Sequence, residues 1–275
     1  MKANSRFDRR IAKKTKDLGR KRVGDSEKYL RVLIVCEGQK TEPNYFEALK
    51  ADYRDQLKAV VTQPSRGLTP ISIVETAEKL YQDDLSSVGG DALLAFDAVY
   101  CVFDRDIHPS FDAAIAKVAA LYKAKVPIHT IASYPCFEFW LILHFGFTRK
   151  PFAKTSKLSI GDAAKKKLRD FPGFALYTES EPNAYALTKD LLRDAIKHSN
   201  QAAKEAVNDD EPNPSTHVHE LIEVLFDAIL KSLRAQLPKA QDERTNADLI
   251  AALRKKINAI ESILRVKPTA SLAQF

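Results

Sequence analysis

Two short runs of β-branched and apolar residues, VLIVC at 32–36 and AVYCVF at 98–103, constrain the fold more than any other feature of this chain. Neither alternates apolar with polar. A strand with one wet face alternates, so both runs belong inside a sheet covered on both faces, which is the setting of a parallel sheet. Between them lie helical spacings. Tyr45, Phe46, Leu49 and Tyr53 form one apolar face after a start at Thr41, which can cap the helix, and Pro43, which a first turn tolerates. Leu57 to Val61 reads as a weaker strand, and Thr69-Pro70 opens a helix carrying Ile73, Val74, Ala77, Leu80 and Tyr81. Phe111, Ile115, Val118 and Leu121 mark the next helix, PIHTIAS (127–133) the next strand, and CFEFWLILHF (136–145) a strongly apolar helix. Strand and helix alternate, so the expected class is α/β: a mostly parallel sheet with helices on both faces.

Beyond residue 150 the strand signal ends. Leu187–Ala206 and His217–Leu233 have helical patterns. Ile250, Leu253, Ile257, Ile260 and Leu264 step by three and four, a short heptad stripe that usually packs within a helical bundle. The expected organisation is a basic arm over 1–28, an α/β domain over 29–148 and a mainly helical C-terminal region over 149–275.

Charge is uneven. Residues 1–22 hold ten basic side chains, among them Arg6, Arg9, Arg10, Lys13 and Lys14, and two acids. That stretch exceeds the +7 of the whole chain, so the remainder is close to neutral. A cationic arm attracts polyanions and releases counterions on binding, which points to nucleic acid; the competing reading is a solubilising tail. A second basic stretch, Arg149 to Arg169, is either a solvated helix face or a phosphate contact. No run of apolar residues is long enough for a membrane helix, and the charged N-terminus does not read as a secretory signal. Three cysteines without a CxxC pair argue against a disulfide scaffold and fit a cytoplasmic protein.

Carboxylates sit where an open parallel sheet gathers ligands, at the carboxyl ends of strands. The first strand ends in Cys36-Glu37-Gly38 and the third in Asp104-Arg105-Asp106. If these strands are neighbours, Glu37, Asp104 and Asp106 face one another and need a hard cation, Mg²⁺ or Mn²⁺, to relieve their repulsion. Gly38 lets the chain turn away without a Cβ. Such a centre suits phosphodiester hydrolysis, with a carboxylate free to act as general acid or base. Glu138, among apolar neighbours at the start of a helix, is expected to face the same pocket. Glu42 can join it too, though favourable charge at a helix N-terminus is the preferred explanation. Arg66, Arg105 and His108 are candidate phosphate contacts. His217 and His219, two apart on a helix, fit capping or packing better than metal binding, and the cysteines fit strand core.

VLIVCEG with KTE, followed by VYCVFDRDIH, resembles the TOPRIM domain of topoisomerases, primases and old-lysogenisation nucleases. More specifically, CEGQKTEPNYF (36–46), VFDRDIH (102–108), SYPCFEFWLILHF (133–145) and NPSTHVHEL (213–221), in that order, are similar to the RloB family of bacterial phage-defence proteins. The resemblance implies a TOPRIM-like fold, a Mg²⁺-dependent nuclease centre, a role in abortive infection and a partner ABC-like or AAA-type ATPase. It implies that Glu37 is the general acid/base or a metal ligand and that Asp104 and Asp106 are metal ligands. Homo-oligomerisation is compatible with it. The alternatives are nucleotidyl or strand transfer, for which no tyrosine stands out as a nucleophile, and a non-catalytic adaptor binding nucleic acid or an ATPase.

Overall fold

The computed structural model describes residues 29–64, 69–91, 94–105, 108–179, 181–242 and 247–264. The arm over 1–28, with Arg6, Arg9, Arg10, Lys13 and Lys14, lies outside the described residues, as do Arg66 and Asp106.

Five strands form one sheet: β1 (Val32–Cys36), β2 (Val60–Pro64), β3 (Ala98–Asp104), β4 (Ile128–Tyr134) and β5 (Ser215–Thr216). Their order is β2-β1-β3-β4-β5. The first four run parallel, with Cys36 beside Val102 and Phe103 beside Ala132, whereas β5 pairs antiparallel to β4. The helices α1 (Thr41–Asp52), α2 (Pro70–Ser87) and α3 (Phe111–Lys123) are the crossovers. The expected mostly parallel α/β sheet is therefore present, with β1 and β3 adjacent and both buried along their length.

The continuous apolar character of β1 and β3 follows from what covers each face. Leu33, Val35, Val99, Cys101 and Phe103 pack against Ile73, Val74 and Ala77 of α2 and Ala114 and Val118 of α3. Val32, Ile34, Cys36, Tyr100 and Val102 face the other way, onto Tyr45, Phe46 and Leu49 of α1. That second layer continues into the C-terminal helices α7 (Leu192–Asp209), α8 (Val218–Asp242) and α9 (Ala247–Leu264) through Ile196, Leu225, Phe226, Leu253, Ile257 and Ile260. The heptad stripe of α9 is thus used within the chain, against α8.

Several local expectations shift. The second strand begins at Val60 rather than Leu57 and runs through Pro64, because its bounds are set by pairing with Val32–Cys36. A proline at its end is tolerated on this strand, which among the described residues is at the edge of the sheet. The apolar segment after β4 is a single turn of helix, α4 (Glu138–Ile142), continued by tight turns through Phe145. Apart from Glu138 and His144 the segment is apolar on every side, because residues 136–144 are all buried. Two helices precede α7: α5 (Ile160–Leu168), opened by a Ser159/Asp162 capping box, and the short α6 (Ala184–Thr188). Thr69 caps α2 as expected, reciprocally with Ser72. Thr41 does not cap α1; Lys40 holds that position, and the Thr41 hydroxyl donates to the Glu179 carbonyl at 2.6 Å.

Candidate metal and active site

The carboxyl ends of β1 and β3 open into a pocket of about 430 Å³. Its walls include Glu37, Gly38, Thr41 and Glu42 from the first strand–helix turn, and Asp104, Glu138, Lys165 and Glu179 from later segments. Parallel pairing of β1 with β3 brings the first two acids together. Glu37 follows the last residue of β1, its backbone N–H bonds to the Val102 carbonyl at 2.9 Å, and its Oε2 accepts the Asp104 backbone N–H at 2.8 Å.

Asp104 is also drawn to the start of α4. One ligand atom each from Asp104, Cys136 and Glu138 lie within 4.8 Å of one another, a grouping able to hold a metal ion. The Tyr177 hydroxyl donates to Glu138 Oε1 at 2.8 Å and fixes that carboxyl's orientation. Glu37 lines the same pocket but is not one of this trio.

Glu42 is the main correction to the sequence reading. Rather than serving only as charge at a helix start, it is buried and lines the pocket. Its carboxylate accepts the backbone N–H groups of Glu42 itself and Gly38. It lies so close over Gly38 that a Cβ there would meet Oε2 at 2.0 Å. Gly38 therefore admits a fourth carboxylate. Burial, reinforced by Glu138 and Glu37, pushes Glu42 up to about 7, despite those two N–H bonds. Asp104 is raised well above the usual carboxylate range by burial and by Glu42, Glu138 and Glu37, with Lys165 opposing. Burial and the Glu138 and Asp104 charges raise the Cys136 thiol as well.

Lys165, from the basic stretch before Arg169, supplies positive charge at the rim. Its ammonium is ion-paired with Glu179, an exposed carboxylate that lines the same pocket. Burial alone would lower its pKa, yet its bond to Glu179 and the nearby Glu138 hold it above the usual lysine value. No local pattern distinguishes Lys165, Tyr177 and Glu179 in the sequence, because packing of α5 and the following loop on α4 brings them here.

Other candidates point elsewhere. Arg105 turns back onto α3, pairing with Asp112 at 3.4 Å and lying over the Phe111 and Tyr134 rings. His108 accepts the Ser110 backbone N–H on Nδ1 at 3.2 Å, at the start of α3. Neither lines the pocket. His217 bonds Glu220, and the buried His219 bonds Ser199 at 2.7 Å, in keeping with packing roles. Cys36 and Cys101 lie in apolar clusters, whereas Cys136, though buried, belongs to none of those among the described residues.

Sheet order and pocket together define an α/β protein with a carboxylate-lined cleft at the carboxyl ends of its parallel strands. Residues 32–225 match the family described as RloB-like protein. The chain belongs to the RloB-like family. Searches of the curated proteins and of the solved structures found no match. Among the described residues, no helix is long and apolar enough to cross a membrane.

Proposed function

We propose that the protein is a TOPRIM-type nuclease of bacterial anti-phage defence, dependent on Mg²⁺ or Mn²⁺ and hydrolysing phosphodiester bonds of DNA or RNA. The observation that carries this reading is the convergence of Glu37, Glu42, Asp104 and Glu138 on one solvent-reachable pocket. Four acids in so small a space repel one another, and burial first, with that repulsion added to it, raises the pKa values of Asp104 and Glu42. Oxygen donors at this density fit a hard dication. Asp104 and Glu138 would hold it, with Asp106, two residues on from Asp104, and Glu37 completing the set. When bound, such an ion supplies neutralisation of the acids and polarisation of a phosphoryl oxygen.

The chain's own residues supply the rest. Glu42, pushed up to about 7 by burial and its acidic neighbours when no ion is bound, is the carboxyl placed to hold or release a proton in the pocket, as a general acid or base must. Lys165 offers a cation to a phosphate entering the pocket, at the expense of its pairing with the exposed Glu179. The arm over 1–28 provides sequence-independent attraction to the nucleic-acid backbone. The remaining elements of the proposal are action in the cytoplasm and a partner ATPase that controls cleavage during infection.

Cleavage assays of purified protein on duplex DNA, single-stranded DNA, RNA and tRNA, with and without Mg²⁺ or Mn²⁺, test the reading. Metal-dependent cutting that Glu37→Gln and Asp104→Ala each abolish is the expected result. Cutting that survives both substitutions places the chemistry elsewhere. Absence of cutting on every substrate, with the partner ATPase present, favours the adaptor.

A further inference from the structure

The three cysteines differ in what surrounds their sulfur. Cys36 and Cys101 pack among apolar side chains on opposite faces of the sheet, as small hydrophobes do. Cys136 is 4% exposed yet belongs to no apolar cluster among the described residues. Its Sγ instead converges with oxygens of Asp104 and Glu138, all within 4.8 Å of one another. The thiol's contact with the Gly161 carbonyl is long, at 3.9 Å. Without an ion the protonated thiol also hydrogen-bonds the Glu138 carboxylate; a dication replaces that bond, and a thiolate and two carboxylates around it are then all satisfied at once. Tyr177 steadies Glu138 from behind through Oε1, the kind of support a metal-ligating carboxylate receives.

We infer that Cys136 is a ligand of the metal centre, so that Asp104, Glu138 and the Cys136 thiolate bind thiophilic dications such as Zn²⁺, Co²⁺ and Cd²⁺. The inference rests on the metal-centre part of the proposal above and extends it, since a carboxylate-only site would select Mg²⁺ or Mn²⁺. The thiol proton passes to solvent as the metal–sulfur bond forms. Placing a soft donor beside hard ones makes the centre sensitive to which metal is available: zinc competes with magnesium at the same acids.

Titration of the reduced, metal-free full-length protein with Co²⁺ reads the ligand directly, because a cobalt–thiolate bond gives near-ultraviolet charge-transfer absorption that cobalt–carboxylate bonds lack. The wild type is expected to gain this band to saturation. Cys136→Ser should bind Co²⁺ by calorimetry without the band, while Cys36→Ser and Cys101→Ser keep it. Zn²⁺ affinity should fall at least about 10-fold in Cys136→Ser, the order seen when a metal ligand's surroundings are disturbed, with a much smaller change for Mn²⁺. Should Cys136→Ser fail to fold, the wild-type band and its loss in Glu138→Gln decide the matter. Co²⁺ binding by the wild type without the band overturns the thiolate ligand and leaves a carboxylate centre standing. A band that survives in Cys136→Ser puts the cobalt–sulfur bond at another cysteine and overturns the inference; a full-strength band in Glu138→Gln shows that Glu138 does not share the ion with the thiolate and overturns the three-ligand site. Absence of binding by any dication overturns both the inference and the metal centre beneath it.

Discussion

Glu37 Oε2 accepts the backbone N–H of Asp104 at 2.8 Å, tying the end of one parallel strand to the end of its neighbour. The bond gives Glu37 two separable roles. Its charge belongs to the acidic pocket, and its oxygen satisfies a backbone donor at the mouth of the sheet. Glu37→Gln retains an acceptor for that N–H and should melt close to the wild type while losing metal-dependent cleavage. Glu37→Ala removes the acceptor as well and should lose about 1.5–3 kcal/mol of stability, the range for hydrogen bonds to charged groups. Urea denaturation of both variants, alongside the cleavage assay, separates the two roles.

Glu42 makes the metal-free protein less stable as pH rises. Its ordinary value is 4.5 and its folded value is about 7. Below 4.5 both the folded and the unfolded chain carry the proton. Between 4.5 and about 7 the unfolded chain releases it and the folded chain does not, so stability falls as pH rises through that window. The scale is about 1.4 kcal/mol per unit of pKa difference. Glu42→Gln, which mimics the protonated carboxyl, should raise the melting temperature of metal-free protein at pH 8 and leave it nearly unchanged at pH 4. Saturating Mg²⁺ or Mn²⁺ at pH 8 should raise the wild-type melting temperature by linkage. A Glu42→Gln protein that melts below the wild type at pH 8 would contradict a carboxyl whose charge is disfavoured by burial and its acidic neighbours.

Two buried histidines act in the opposite sense. His219 is held down to about 4 and His144 to about 3, in both cases chiefly by burial, against an ordinary value of 6.5. As pH falls below 6.5 the unfolded chain takes up protons that the folded chain refuses, so stability is lost on acidification from about 6.5 toward 4. His219 also bonds Ser199 at 2.7 Å, and Ser199 donates to the Thr216 carbonyl at 2.9 Å, which anchors β5 to α7. His219→Gln should flatten the rise of the urea midpoint between pH 4 and pH 6.5 by one proton's contribution, whatever its effect at pH 8. An unchanged slope would mean that His219 is protonated in the folded protein.

The parts of this molecule that the sequence discloses are those whose cause is local. VLIVC and AVYCVF read as doubly buried strands because covering both faces requires apolar residues at every position, and Leu33 and Ile34 do face opposite layers. Glu37 and Asp104 are legible because they follow those strands. Glu42 is harder to read, since its entry into the pocket depends on the missing Cβ of Gly38 four residues before it, a steric relation that no hydrophobic period marks. Lys165 and Tyr177 belong to stretches whose spacing says nothing about Asp104, and only the packing of α5 against α4 delivers them. The same holds for β5, two residues long and defined entirely by Ser133 and Tyr134 opposite it.

Gly38 offers a sharper test of the pocket than removal of any acid. Gly38→Ala removes none of the four carboxylates, but its Cβ would lie 2.0 Å from Glu42 Oε2 and 2.8 Å from Cδ. The obstruction is the end of a side chain, so the backbone can stay while the Glu42 carboxyl is pushed aside. Folding should survive, Mn²⁺ affinity should fall, and the destabilisation of the metal-free protein between pH 4.5 and 7 should shrink as Glu42 loses its buried position. Calorimetric Mn²⁺ titration checks the first effect and melting curves across pH the second; wild-type behaviour in both would show that Glu42 need not lie over Gly38.

Far from the pocket, Arg31 and Asp84 form a buried pair, Nη2 to Oδ1 at 2.8 Å and Nη1 to Oδ2 at 3.2 Å, with side-chain exposures of 2% and 0%. Asp84 also accepts the Phe96 N–H at 2.8 Å, and the Arg31 guanidinium lies over the Phe96 ring and donates to the Leu94 carbonyl. The pair thereby pins α2 and the segment leading into β3 to the residue just before β1. Removing one partner leaves a buried charge uncompensated, at a cost of about 3–5 kcal/mol, whereas removing both can be close to neutral. Arg31→Met and Asp84→Leu should each be strongly destabilising, and the double variant Arg31→Met/Asp84→Leu should recover much of the loss. A double variant as unstable as the two single losses added together would mean that the residues contribute independently, and that the two charges do not compensate each other in the folded protein.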